Sequence, residues 1–293
     1  MKMKSILIVV VAVLVALGLQ NYVIAPGKPG SAEPATRQES AYDRVMRTNT
    51  LRCAYAIYPP FLGKDPNTGQ VNGIMPDLMA EFGKASGLKV EWGPEIDWGD
   101  IAPTLQTGKA DAFCTSMAST PKRGRVIAGS TPLFYTVLAA FVRADDTRFD
   151  NNPERINQPD IRISANEGDL SEEFAQRIFP QAQRVYKGNL GGEDALFLNV
   201  ATKKADVVLS APNNLSTYNK NSPDMALRKV ELQRALAALP GVIGVDIHEQ
   251  GLLHVVDAAL HDLIDNGVVD RVLHARLGAD YGVSYLPAKP QFN

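Results

Sequence analysis

The chain is expected to be a two-lobed α/β protein, and two observations carry that expectation. The first is an internal echo. Thr107-Gly108-Lys109-Ala110-Asp111-Ala112-Phe113-Cys114 returns as Thr202-Lys203-Lys204-Ala205-Asp206-Val207-Val208-Leu209, about one lobe later. Each copy closes a helical pattern and opens a short apolar run, as in βα units that feed a parallel sheet. The second is length, since 293 residues accommodate two domains of ordinary size. Ligands in open α/β sheets sit beyond the carboxyl ends of strands, so two facing lobes of this kind make a cleft.

Hydrophobic content of 45% and charged content of 21% are those of a globular chain. A net charge of −2, from 30 basic and 32 acidic residues, argues against a nucleic-acid partner, which would call for a basic surface. The N-terminus has its own character. Met1-Lys2-Met3-Lys4 precedes an unbroken apolar or glycine run from Ile6 to Leu19. That run has signal-peptide length and falls short of the ~20 residues of a full span. Pro26 after Val23-Ile24-Ala25 disfavours cleavage there, so residues 1–25 read as a signal peptide or an uncleaved signal-anchor that exports the remainder. Residues 26–42 are rich in Pro, Gly, Ser and Ala without periodicity, as in a flexible linker.

Elements follow in order. Leu51 to Ala56 is a strand that ends where Pro59 and Pro60 force a loop. After the turn residues Lys64 to Gly69, a helix runs from Pro76 to Gly87 with Leu78, Met79, Phe82 and Ala85 on one face. Lys89 to Trp92 is a second strand, Asp97 to Thr107 a helix, and Asp111 to Thr115 a third strand. The pattern restarts with strand Ile161 to Ser164, helix Ser171 to Ile178, strand Arg184 to Tyr186, helix Glu193 to Lys203 and strand Asp206 to Leu209. The chain then returns through strand Gly241 to Ile247 and helices Leu252 to Ile264 and Val268 to Leu277, separated by Gly267. Two crossings between lobes are expected, near 143–148 and 226–236. Cys53 and Cys114 lie within expected strands. Export would permit a disulfide, but two parallel strands with the cysteines at staggered heights strain the ~5–6 Å Cα separation it needs. Two buried thiols are therefore expected.

Four segments together carry a resemblance: Leu51 to Phe61 with its Tyr58-Pro59-Pro60-Phe61 ending; Gly73-Ile74-Met75-Pro76-Asp77-Leu78; Trp98 to Asp111; and Ser116-Met117-Ala118-Ser119-Thr120-Pro121-Lys122-Arg123. In this order and spacing they resemble the bacterial extracellular solute-binding proteins of family 3, the periplasmic receptors of polar amino-acid importers. The resemblance covers Leu51 to Gly278 and implies a two-lobed periplasmic-binding-protein-like fold of type II with two hinge crossings. It suggests lobe 1 from 43–143 and 232–285, lobe 2 from 144–231, and a tail from 286–293.

The same resemblance implies ligand positions. Tyr58 would stack on the solute, and Trp98 would face it, although a core place is equally open to that ring. Arg123 would clasp a carboxylate, for which a planar fork of donors is suited. Thr115, Ser116 and Ala118 would offer main-chain contacts. Gly168, Asp169 and Leu170 would present amides at a helix N-terminus, a natural anion site. Ser210 would close the site. Two departures stand against an ordinary α-amino acid. Ser210-Ala211 holds no carboxylate where the family has the aspartate for the α-amino group, and a buried ammonium without a counter-charge is costly. Asp169 and Glu167 also add negative charge beside the expected carboxylate, unless Asp169 caps its helix.

The expected function is therefore a periplasmic receptor that closes on a small polar, carboxylate-bearing solute and delivers it to an ABC permease in the inner membrane. It is read as non-enzymatic, with no cofactor, metal or nucleic acid, and anchored if the N-terminal segment stays. Two rivals remain. One is a cyclohexadienyl dehydratase-like enzyme using Glu172, which at a helix start also suits the dipole. The other is a membrane-tethered accessory or sensor protein on the same fold. His254 and His261 could share a helix face but show no third ligand.

Overall fold

A run of α/β units builds the structure, a computed structural model that describes residues 39–167, 170–186, 193–232 and 235–288. The expected signal segment and most of the linker lie outside those residues, as do Gly168 and Asp169. Helix α1 (Ala41–Thr48) starts at Ser40, whose hydroxyl accepts from the Asp43 amide at 3.0 Å, and stops at Asn49 with φ 49°. Strand β1 (Thr50–Tyr55), hairpin β2 (Gly63–Lys64) and β3 (Val71–Asn72), and helix α2 (Ile74–Ser86) follow. Next come β4 (Lys89–Glu95), a 3₁₀ turn at Trp98–Asp100, α3 (Ile101–Gln106), β5 (Ala112–Ala118), β6 (Ile127–Gly129) and β7 (Phe134–Arg143). The pattern restarts with β8 (Arg162–Ala165), α4 (Leu170–Ile178), β9 (Gln183–Tyr186), α5 (Asp194–Ala201), β10 (Val207–Ser210) and α6 (Pro212–Asn221). It closes with β11 (Leu227–Lys229), β12 (Ala237–Asp246), α7 (Gln250–Asp265), α8 (Val268–Leu277) and β13 (Tyr285–Pro287).

The strands line up as β4-β1-β5-β12-β7-β10-β8-β9. The β4-β1-β5 and β10-β8-β9 blocks are parallel, each built by strand–helix–strand units. Between them, β12 and β7 run antiparallel to each other and to their outer neighbours. These are the two crossing strands. Residues 134–138 of β7 pair with β12, while residues 139–143 pair with β10 and β11.

Burial follows this division. One pair of apolar clusters gathers residues from Val45 to Phe134 and from Val242 to Tyr285; the other pair gathers residues from Leu138 to Val230. The first set is the core of the first lobe and the second that of the second lobe. On β7, Leu138, Ala140 and Val142 enter one second-lobe cluster and Ala139 and Phe141 the other, the period-two alternation of a strand buried on both faces. Each fully buried phenylalanine, such as Phe82 or Phe149, contributes about 1.5–3 kcal/mol.

The cysteines correct the expectation of buried thiols. Cys53 and Cys114 form a disulfide with Cα atoms 5.4 Å apart. Cys53, Ala112 and Cys114 all enter one cluster, whereas Ala54 and Phe113 enter another, so both sulfurs lie on the same face of neighbouring strands. The stagger assumed from the sequence is absorbed by that shared face.

Candidate functional site between the lobes

The first lobe contributes an aromatic wall. Tyr58 lies in the loop after β1, where its backbone N–H and C=O exchange bonds of 2.8 and 2.9 Å with Leu62. Its ring stacks on Phe61 at 5.6 Å and 12°, and meets Trp98 edge-on at 5.7 Å and 89°. Phe61 in turn stacks on Phe134 at 4.9 Å and meets Tyr285 at 5.1 Å. Such offset and edge geometries are favoured beyond simple area burial. Trp98 stays 37% exposed while its ring leans on Phe113 at 5.5 Å, so it is a wall residue with a core foothold. The Arg123 guanidinium lies 5.9 Å from the Trp98 ring centre and donates to the Ala118 carbonyl at 3.1 Å. A cavity of about 340 Å³ opens beside Trp98, lined also by Ala56, Ile57, Glu95, Ile96 and Asp97.

Two of the expected contact residues turn out to hold this wall in shape. The buried Thr115 hydroxyl accepts from the Ala56 amide at 3.1 Å and donates to the Ala56 carbonyl at 3.0 Å, tying β5 to the root of the Tyr58 loop. Ser116, also buried, is crowded by the crossing strand. A Cβ at Gly241 would come within 2.5 Å of the Ser116 hydroxyl and 2.8 Å of the Phe134 ring. Only glycine lets β12 pass that close.

The second lobe contributes a polar cluster. Ser210, 3% exposed at the end of β10, donates its hydroxyl to the Glu193 carboxylate. Asn214 Nδ2, in the first turn of α6, donates to Glu193 Oε1 at 2.7 Å and to Ser210 Oγ at 3.0 Å. Asn213 Nδ2 donates to Asn214 Oδ1 at 3.0 Å. Leu170 opens α4 half-buried and packs against the second-lobe core. The Gly168 and Asp169 expectation falls outside the described residues.

Electrostatics tie the two groups together. The Tyr58 phenol is pushed well above its ordinary range, first by burial and then by the negative charge of Glu193. Burial likewise raises the Tyr285 phenol, with Tyr58 and Glu193 adding to the rise and a hydrogen bond with Asn213 opposing it. The negative charge of Glu193, in the second lobe, thus bears on both phenols of the first.

Sequence reasoning passed over Glu193, Asn213, Asn214 and Tyr285. Glu193 read only as the start of a helix, the two asparagines lay in no expected element, and Tyr285 closed the expected span of lobe 1 without a role. The place at 210–211 does lack a carboxylate of its own, but the fold delivers one from residue 193. Elsewhere, Glu172 Oε1 accepts the Tyr186 phenol at 2.5 Å near the start of α4. Among the described residues no group of three or more His, Cys, Asp or Glu could hold a metal ion, and no helix is long and apolar enough to cross a membrane.

The family of bacterial extracellular solute-binding proteins, family 3, matches residues 51–277. The chain belongs to that family. It is 25% identical over 215 residues to the amino-acid-binding protein AabA of Dichelobacter nodosus, covering 69% of this chain and 78% of that one. Among solved structures it is similar to the ancestral amino acid-binding protein AncCDT-1, a precursor of cyclohexadienyl dehydratase. That likeness has a TM-score of 0.65 and 27% identity, over 81% of this chain and 99% of the other. A binding component attributed to an ABC transporter of Wolinella succinogenes, complexed with lysine, shares the fold with a TM-score of 0.64 and 21% identity, over 78% and 95% of the two chains.

Proposed function

We propose that this chain is an exported receptor that closes its lobes on a small polar solute bearing a carboxylate, and hands the solute to an ABC importer of the inner membrane. The observation that carries this reading is the aromatic wall of Tyr58 and the exposed Trp98, with the Arg123 guanidinium 5.9 Å from the Trp98 ring centre, in the lobe that faces the crossing strands. A ring wall and a guanidinium in one lobe, joined to the second lobe by two crossing strands, suit hinge closure on a ligand. In this proposal lobe 1 comprises 43–143 with 232–285 and lobe 2 comprises 144–231. Arg123 takes the carboxylate, its guanidinium already oriented over Trp98 and by the Ala118 carbonyl. Export is supported by the Cys53–Cys114 disulfide, which persists in oxidising compartments. The amino-acid-binding names of the relatives agree with the solute class, and the transporter attribution of the Wolinella protein agrees with delivery to an importer.

The chain is read as a binder rather than a catalyst. Glu172, the acid a dehydratase reading needs, accepts a hydrogen bond from the phenol of the exposed Tyr186. Mass spectrometry of the small molecule co-purifying with the protein tests the proposal, paired with thermal shift against amino acids and small organic acids. A bound solute raises the Tm of the wild type, and Arg123→Ala weakens a carboxylate ligand by about 100-fold. No shift with any solute, together with turnover of prephenate or arogenate that Glu172→Gln abolishes, would overturn it.

A further inference from the structure

Resting on the reading of the Tyr58, Trp98 and Arg123 wall as a solute site, we infer that the Cys53–Cys114 bond and the Thr115 hydroxyl are positioning elements of that site. They set the spacing between the Tyr58 loop and the Arg123 turn. An interruption in β5 points to this role. The ladder of β5 with β1 holds only the pairs Ala112–Cys53 and Phe113–Ala54. On the other side Phe113 pairs with Gly244 and Met117 with Val242, so four steps along β5 answer two along β12. Among the described residues, Cys114, Thr115 and Ser116 therefore have no register partner on either neighbouring strand. A bulge of this kind disrupts the ladder and re-aims the strand. The segment has to be held by other means.

Two side chains hold it. Cys114 is bonded to Cys53 on β1. The Thr115 hydroxyl accepts from the Ala56 amide at 3.1 Å and donates to the Ala56 carbonyl at 3.0 Å, in place of the next rung. Both cysteines and Thr115 are wholly buried, so these hydrogen bonds act in a low-dielectric interior. Attachments at consecutive residues of β5 fix its direction as well as its distance from β1.

What lies beyond the links is the wall itself. Just after Ala56 comes Tyr58, whose ring meets Trp98. Just after Thr115 comes Ala118, whose carbonyl accepts from the Arg123 guanidinium at 3.1 Å. The Arg123 amide donates to the Thr120 hydroxyl at 3.3 Å, which fixes the turn. The links thus stand at the common root of both segments. The tip of the Tyr58 loop is held separately, since the Ile74 and Met75 amides donate to the Pro60 and Phe61 carbonyls at 3.2 and 2.8 Å. Losing the links should therefore loosen the spacing between ring and guanidinium without unfolding the loop. A site already set in its binding geometry avoids the ordering cost that a loose one includes at association.

The test measures affinity by calorimetry well below each variant's Tm, with L-lysine, L-glutamine, L-glutamate and succinate as probes, and follows whichever binds the wild type most tightly. Thr115→Val, which keeps the shape and removes the hydroxyl, should lose about tenfold in affinity, and Thr115→Ser should recover most of it. Cys53→Ala with Cys114→Ala should lose a similar factor. Val256→Ala, in the same apolar cluster as the cysteines but on α7, should lower the Tm and leave the affinity within about twofold. Hydrogen exchange without any probe should speed up at 54–62 and 114–123 in Thr115→Val more than in α7. A folded Thr115→Val within about twofold of the wild type, or an equal loss in Val256→Ala, would overturn the positioning role while leaving the solute-binding reading intact. Failure of every probe to bind the wild type would remove both.

Discussion

In the first lobe, the Arg52 amide donates to Asp111 Oδ2 at 2.7 Å and its guanidinium to the Gly108 carbonyl at 2.8 Å, while the Asp111 amide returns a bond to the Arg52 carbonyl at 2.9 Å. In the second lobe, the Arg162 amide donates to Asp206 Oδ2 at 3.0 Å and its guanidinium to the Lys203 carbonyl at 3.0 Å, and the Asp206 amide returns a bond to the Arg162 carbonyl at 2.7 Å. A second arginine joins each aspartate, Arg44 in one case and Arg148 in the other. The repeated Lys-Ala-Asp is thus one clamp built twice, joining the central strand of each parallel block to its neighbour. The lobes differ in what surrounds the clamp. Only the first has the Cys53–Cys114 disulfide; both have an aromatic group, Phe61 stacked on Phe134 with Tyr285 edge-on in the first and Phe197 stacked on Tyr218 in the second. The second relies on more exposed arginines, Arg148 and Arg162, and on a lysine where the first lobe has a glycine. The first lobe's clamp is thus the more buried and has a covalent link beside it, while the second lobe's clamp lies closer to solvent.

The largest expected effect comes from the clamp carboxylates. Asp111→Asn should lower stability by about 3 kcal/mol or more, because it strands guanidinium groups around a side chain that is wholly buried. Asp206→Asn should cost less, since Arg148 and Arg162 can turn to water. Equal losses in urea unfolding would break the contrast. The Asp206 effect also carries a sign in pH. Burial alone would raise its pKa, but hydrogen bonds from Arg162 and Arg148 outweigh that and hold it below the ordinary 3.8. A depressed aspartate contributes its full stability above the unfolded value and loses it as pH falls through the folded one. The Tm gap between wild type and Asp206→Asn should therefore be constant near neutrality and close as pH drops below about 4. A gap that widens in acid contradicts the assignment.

Next in size is the disulfide. Reduction, or Cys53→Ser with Cys114→Ser, should cost about 2–4 kcal/mol. Hydrogen exchange should accelerate in β1 and β5 more than in β8 and β10, and uniform acceleration would show that the lobes are not secured separately. The smallest effect concerns the residue three before each clamp aspartate. Gly108 and Lys203 share the left-handed region, at φ 66° and 64°. Glycine is at ease there and lysine is not. Lys203→Gly should stabilise by about 0.5–1 kcal/mol and Gly108→Lys destabilise by a similar amount or more, as thermal unfolding would show.

Much of the fold was legible because it is local. The βα rhythm, the Lys-Ala-Asp junctions and the prolines at 59 and 60 are properties of short windows. The first half of β12 was not legible, because Pro240 interrupts Ala237–Asp246 and argues against a strand. Pro240 nonetheless pairs with Tyr135, its missing donor tolerated while its carbonyl accepts from the Ser119 amide at 3.2 Å. Strand β13 was equally hidden, because three residues beside a proline carry no periodicity. Yet Tyr285 is 1% exposed and completes the aromatic wall.

The amino-acid order alone determined the two α/β repeats and the loop that presents Tyr58, since each depends on neighbours in the chain. Tertiary structure alone decided that Glu193 meets Ser210, that Cys53 joins Cys114, that Arg123 lies beside Trp98, and that Tyr285 packs on Phe61 and Phe134. Those pairings are set by which strands become neighbours and where β7 and β12 cross. Strand order is a property of the closed sheet and leaves no mark on residues far apart in sequence.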